Sequence, residues 1–255
     1  FYQQFFSIIN QPAWHELALE IRNFFKAVAA GSFYLSIPTA RAASQKDLAN
    51  LDMIETAAEV SSGRVSMFDI SKAAMDRIDA LNPHINALVT KTYDYGVRQM
   101  AKNPTGPLAG VPYMLKDLNS LAGVRTTRGS RLFTSHTSSR QSPYTDNILS
   151  SGVIILGKTN TPEFGLMPTT EPVANGATRN PWNLDYSCGG SSGGAAAAVA
   201  SRMIAASQAS DGGGSIRFPA AACHLFGLKP SRGRFGDQGY ADQPVSLSVK
   251  HAISR

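Results

Sequence analysis

The sequence predicts an α/β fold built around a buried sheet of mixed or mostly parallel strands. Three observations predict it. Short apolar runs at 111–115 and 153–156 are too brief for helices and are bounded by turn residues. Segments with apolar residues at three- and four-residue spacing alternate with them. Glycine-rich turns stand where strand-like runs hand over to helix-like ones, the usual place for a site in such folds.

Taken in chain order, residues 1–45 form an N-terminal extension and 46–255 the main domain. Arg22 and Lys26 precede an apolar run at 27–37, and Ala40 and Ala42 stand in the A-x-A relation of a signal-peptidase site. The segment reads either as a packing helix or as a secretory signal over residues 22–42. The second would make the protein periplasmic or secreted rather than cytoplasmic. The run is too short to span a membrane. Residues 50–98 read as helices. "LDMIETAAEVSSG" stops at Gly63, and "SMFDISKAAMDRIDALNPHINALV" should break at Leu81-Asn82-Pro83, because proline disfavours helical geometry in the residue before it. From Pro107 the texture changes: a strand Val111–Leu115 ends in Lys116, "TDNILSSG" closes a helix, and Val153–Leu156 forms a buried strand. "SSGGAAAAVASRMIAASQA" opens as a glycine-rich turn and continues as an alanine-rich helix. Ala220–Phe226 reads as a helix leading into the short strand of "HLFGLKP".

Composition narrows the function classes. At 255 residues, 43% hydrophobic and 16% charged, the chain has the material for a sizeable core. The net charge is +6, but the cations are spread out: residues 201–255 hold seven Lys/Arg against three Asp, with no basic block interleaved with aromatics. That is a mild positive field and argues against a nucleic-acid partner. Cys188 and Cys223 permit one disulfide without arguing for it. No C-x-x-C, H-E-x-x-H or His/Cys cluster appears, so a structural or catalytic metal is not expected.

Two Ser/Gly turns could carry chemistry: "CGGSSGGAAAA" (188–198) and "SDGGGSIRFPA" (210–220). Neither has the Gly-Lys-Ser/Thr of a P-loop or the G-x-G-x-x-G of a dinucleotide site. Gly190–Gly194 satisfies G-x-S-x-G, but a nucleophile elbow needs an apolar strand before it, and "NPWNLDYS" makes a poor one. Three consecutive glycines are costly to order. They mark an exposed turn, or else a backbone whose N–H groups must approach something closely. In the second reading Ser215 is a nucleophile and Gly212, Gly213 and Gly214 offer N–H donors for the oxyanion formed when it attacks a carbonyl. A serine needs a base. His224 reads as a helix-borne structural histidine, whereas Lys116, at the end of an apolar strand, could be held neutral by desolvation. On the residues alone, a solvated surface lysine is the competing reading.

The motifs also carry a resemblance. "GGSSGGAAAAVA" followed by "SDGGGSIRFPAAACHLFGLKPSRGR" resembles the signature of the amidase signature family, and "PLAGVPYMLKDL" resembles its segment around the catalytic lysine. "GVRTTRGS", "NTPEFG" and "ATRNPW" are similar to further family segments, all in family order from about Leu51 onward. The resemblance implies a mixed β-sheet core flanked by helices and incomplete at the C-terminus, since most members continue for nearly as long again. It implies hydrolysis of a carboxylic amide through an acyl-serine, without a cofactor. Ser215 would be the nucleophile, Ser191 the cis-serine relay and Lys116 the base. Ser192 would support them, and Asp211 and Arg217 would brace the nucleophile loop. "SRMIAASQAS" departs from relatives that place a proline and a small residue before that loop. The "DGGGS" spelling and "TTEP" (169–172) resemble general amidases and cyclic-amide or nylon-oligomer hydrolases more than the glutaminase subunits of amidotransferases. The expected partner is a small-molecule amide, with a homo-oligomer possible. The alternatives are a glutaminase-type subunit of a tRNA-dependent amidotransferase and an inactive amidase fragment.

Overall fold

The computed structural model describes residues 48–234 and 248–255. The 45/46 domain boundary and the reading of residues 22–42 lie outside the described residues. Helix α1 (Met53–Ser61) opens with a reciprocal cap: Asp52 accepts the N–H groups of Ile54 and Glu55, and Glu55 accepts that of Asp52. Gly63, at φ 73°, follows its last turn as expected. Helix α2 (Met67–Ile85) does not break at 81–83 but runs through Pro83. Its last turn is held from outside the helical pattern. Asn82 takes the Asn86 N–H on its carbonyl at 2.8 Å and exchanges two side-chain bonds with the Leu88 backbone. The buried Ile78 and Ile85 anchor the same turn, so one lost helical bond is tolerated.

Asn86, in the left-handed region at φ 56°, turns the chain into β1 (Leu88–Lys91), a stretch that helical spacing had assigned to a helix. Its β-branched Val89 and Thr90 favour a strand, and antiparallel pairing with β3 decides the matter. Helix α3 (Tyr93–Met100) leads to β2 (Pro112–Lys116), and α4 (Pro143–Ser150) to β3 (Ile154–Thr159), which is parallel to β2. The strands fall close to their expected positions and give the order β1-β3-β2. A hairpin of β4 (Arg179–Asn180) and β5 (Asn183–Ser187) follows, then α5 (Gly193–Ala200), β6 (Ala206–Asp211), α6 (Arg217–Ala222), β7 (Phe226–Gly227) and β8 (Val249–Ser254). The second sheet has the order β6-β8-β7. Side chains join the two sheets where β2 meets β6: Gln208 accepts the Lys116 N–H at 2.9 Å, and the Ser207 hydroxyl donates to the Met114 carbonyl at 3.2 Å.

The alanine-rich helix is shorter than its composition suggests. It stops at Ala200 in a Schellman turn, with Met203 N–H on the Ala198 carbonyl and Arg202 N–H on that of Val199. Arg202 takes the left-handed position, φ 60°, that glycine usually fills. Arg77 of α2 caps this end by donating to the Arg202 and Met203 carbonyls. The following "ASQASD" is therefore free to be strand β6. Helix α5 has no exposed face: residues 193–199 are all buried against Met114, Ile154, Leu156 and Ile216.

Three elements meet at Asn160, whose N–H reaches the Ala87 carbonyl at 2.8 Å and whose carbonyl accepts the Gly194 N–H at 3.3 Å. A methyl group on Gly194 would lie 2.6 Å from the Asn160 oxygen and 2.7 Å from the Ala87 oxygen, both backbone atoms that cannot rotate away. Gly194→Ala is expected to lower stability by about 2–3 kcal/mol, the usual cost of overpacking a tight core, seen as a lower denaturant midpoint at unchanged slope. An unchanged midpoint would contradict this packing.

Candidate active site

Lys116 ends β2 with its side chain fully buried and no carboxylate in contact among the described residues. Its Nζ instead contacts three hydroxyls: Ser191 at 2.7 Å, Ser192 at 2.9 Å and Ser210 at 3.1 Å. Burial pushes its pKa down to about 7, with the charge of Asp211 pulling the other way. Lys158, one strand over, is equally buried but pairs with Asp117 at 2.9 Å, and Asp117 also takes the Thr127 N–H and hydroxyl. Burial lowers the Lys158 pKa too, while Asp117 opposes the shift. Of the two lysines, only Lys158 has a counter-ion against it.

The Ser191–Ser192 pair sits on the turn into α5. The Gly190–Ser191 peptide is cis, and Thr170 steadies the turn by accepting the Gly193 N–H and donating to the Gly189 carbonyl. A strand, β5, does precede this turn, contrary to the reading of "NPWNLDYS". It belongs to an exposed two-stranded hairpin, and Ser192 is completely buried. An elbow presents its serine to substrate, so the elbow reading is excluded on the burial of Ser192.

The second Ser/Gly turn is organised by Asp211 at the end of β6. Its carboxylate accepts the N–H groups of Gly214 at 2.8 Å and Ile216 at 3.2 Å and forms a two-point pair with Arg217. Burial raises the Asp211 pKa, but Arg217 and these N–H groups outweigh it and hold the carboxyl below its ordinary value. Because Gly214 donates to Asp211, its N–H points away from any oxyanion, which corrects the expectation of three glycine donors. The N–H groups of Gly212 and Gly213 meet no acceptor among the described residues. Ser215 is half-buried, its hydroxyl has no hydrogen-bond partner among the described residues, and its carbonyl accepts the Ser192 N–H at 3.2 Å. That bond ties the two turns together. His224 lies just beyond α6, not on a helix. It takes a left-handed conformation at φ 59° and packs edge-on against Trp182.

Ser191, Ser210, Ser215, Gly212 and Gly213 line one cleft of about 440 Å³. Sequence reasoning missed Ser210, Gln208 and Asn119. Ser210 and Gln208 are two residues apart on β6 and both reach Lys116, one at Nζ and one at the backbone, while Asn119 donates to Gln208. The period of two in "QASD" would have paired Gln208 with Ser210 had those residues been assigned to a strand rather than a helix. Among the described residues no group of three or more His, Cys, Asp or Glu could hold a metal ion. Cys188 and Cys223 are buried free thiols.

The state of Lys116 has a measurable consequence for stability. Between pH 7 and 10 the unfolded chain keeps a proton on this amine that the folded chain has released, so folding gains stability as pH rises through that window. Relative to Lys116→Met, the wild type should gain stability on going from pH 7 to 10, with a slope approaching about 1.4 kcal/mol per pH unit. Parallel denaturation profiles for the two proteins would contradict a depressed pKa.

The sequence model of the Amidase family matches residues 69–255. The 6-aminohexanoate-cyclic-dimer hydrolase of Paenarthrobacter ureafaciens is 41% identical over 178 residues, covering 69% of this chain and 36% of that protein. A glutamyl-tRNA(Gln) amidotransferase subunit of Alkalilimnicola ehrlichii is also 41% identical, over 208 residues, covering 79% of this chain and 43% of that protein, so identity does not separate the two kinds of relative. A solved structure of 6-aminohexanoate cyclic dimer hydrolase complexed with substrate superposes with a TM-score of 0.75 at 36% identity, over 82% of this chain and 44% of that one. The chain spans less than half the length of these relatives. With its mixed α/β core, its serine- and glycine-rich turns and its family match in agreement, the chain belongs to the amidase signature family.

Proposed function

We propose that this chain carries the acyl-transfer centre of an amide hydrolase. Ser215 is the nucleophile, Ser191 the proton relay and Lys116 the base. The observation that carries the reading is a buried lysine, with no carboxylate against it among the described residues, 2.7 Å from a serine that shares its cleft with a second serine whose hydroxyl has no partner among those residues. A serine hydroxyl attacks only as its proton leaves. Ser215 Oγ bonds to the amide carbonyl carbon and passes its proton to Ser191 Oγ, whose own proton moves to the neutral Nζ of Lys116. The carbonyl oxygen becomes an oxyanion beside the N–H groups of Gly212 and Gly213. When the C–N bond breaks, the proton returns from Lys116 through Ser191 to the departing amine. Water then repeats the sequence on the acyl-serine and releases the acid. Ser192 and Ser210 position Nζ without exchanging protons with substrate. Asp211 and Arg217 fix the loop that presents Ser215. The substrate is a small-molecule amide.

A fluorophosphonate reagent, which phosphonylates activated serines, tests this. Labelling of the whole chain should vanish in Ser215→Ala and fall by about 10²- to 10⁴-fold in Lys116→Met, the usual contribution of a positioned base. It should rise with pH to a plateau above about 7, as Lys116 loses its proton. Circular dichroism establishes that each variant is folded. A folded wild type that resists labelling, or labelling that persists in Ser215→Ala, would overturn the assignment.

A further inference from the structure

The walls of the cleft speak to what it accepts. Besides its serines and glycines, the lining includes Leu118, Phe164, Leu166, Met167 and Phe218. No Asp, Glu, Lys or Arg lines it among the described residues. Lys116 sits behind the hydroxyls, bonded to them, and Asp211 is paired with Arg217. The apolar wall also adjoins the reacting end. A methyl group on Gly165 would lie 2.8 Å from Leu118 Cδ1 and 3.3 Å from Ser191 Oγ.

One of these apolar residues, Phe164, is fixed by its surroundings. Phe164 takes a left-handed backbone, φ 52°, that an aromatic residue seldom adopts. Its N–H donates to the Arg128 carbonyl at 2.8 Å, its ring meets Phe133 edge-on, and the neighbouring Glu163 accepts from Ser130 at 2.6 Å. Yet the wall stays open to solvent: Leu166 is 79% exposed, Met167 57% and Phe218 55%. Large side chains left exposed along one cleft mark a surface that gains by being covered.

We propose that the cleft takes amides bearing an uncharged alkyl or aryl group, laid along Leu118, Phe164, Leu166, Met167 and Phe218 with the carbonyl at Ser215. The inference rests on the amide-hydrolase reading for that orientation. It also separates this site from a glutaminase. Glutamine carries an ammonium and a carboxylate a few bonds from its amide, and the described lining would partly desolvate both without an opposite charge for either.

Binding, which needs no turnover, tests the proposal separately from the chemistry. Calorimetry on the whole chain carrying Ser215→Ala, titrated with primary n-alkyl amides from butanamide to octanamide, should give a Kd that falls about three- to fourfold per added methylene, with glutamine weaker than butanamide. Leu166→Glu, a change at an exposed position, should flatten that dependence. A Kd independent of chain length, or glutamine binding more tightly than the alkyl amides, would overturn the proposal. Failure of serine labelling alongside an intact chain-length dependence would remove the hydrolase reading and leave the ligand class standing.

Discussion

The constraint on which the site depends is a primary amine buried without a counter-ion among the described residues. Removing an ammonium from water is costly, and a protein meets that cost either by pairing the charge or by letting the proton go. This chain does both, on adjacent strands. Lys158 keeps Asp117 against it, whereas Lys116 is surrounded by hydroxyls from the turn into α5 and from β6. Hydroxyls can donate to a neutral amine as readily as accept from a charged one, so the cage permits the amine to lose its proton and stay satisfied.

Much of the architecture follows from bringing those hydroxyls together. The end of β2, the start of α5 and the end of β6 must converge within hydrogen-bond distance of one nitrogen. Gln208 bridges β2 to β6, and Asn160 joins the end of β3 to the starts of β1 and α5. Helix α5 is made of glycine, alanine and one valine because every side of it is covered. Charge near the cleft is arranged in the same sense. Asp211 is paired by Arg217 and by backbone N–H groups, so it shapes the loop ahead of Ser215 without forming an ion pair with the amine.

The residues that gather at the cleft were legible through the resemblance of their motifs to the family; on the residues alone, the three glycines also read as an exposed turn and Lys116 as a solvated surface lysine. Lys116, Ser191, Ser192, Asp211 and Ser215 all sit around the cleft. What was not legible depends on long-range contacts. Helical spacing carried the reading past Asn86 into β1, because only pairing with β3 reveals the strand. The alanine-rich run hid the end of α5, since a Schellman turn with arginine at the left-handed position leaves no glycine to announce it. That error concealed β6 and with it Ser210. Counting glycines could not reveal that Gly214 turns its N–H to Asp211. Pro83 shows the opposite failure, a valid local rule overridden by Asn82 and a buried helix face.

The most direct test is the protonation state of the amine itself. Titration of the Lys116 Nζ by ¹⁵N-detected NMR on lysine-labelled protein, assigned by loss of the signal in Lys116→Met, reads it without reference to any substrate. The account predicts a midpoint near 7. A Lys116 midpoint near the ordinary lysine value of about 10.4 would contradict it, because the amine would then be a buried ammonium at neutral pH and could not accept a proton from Ser191.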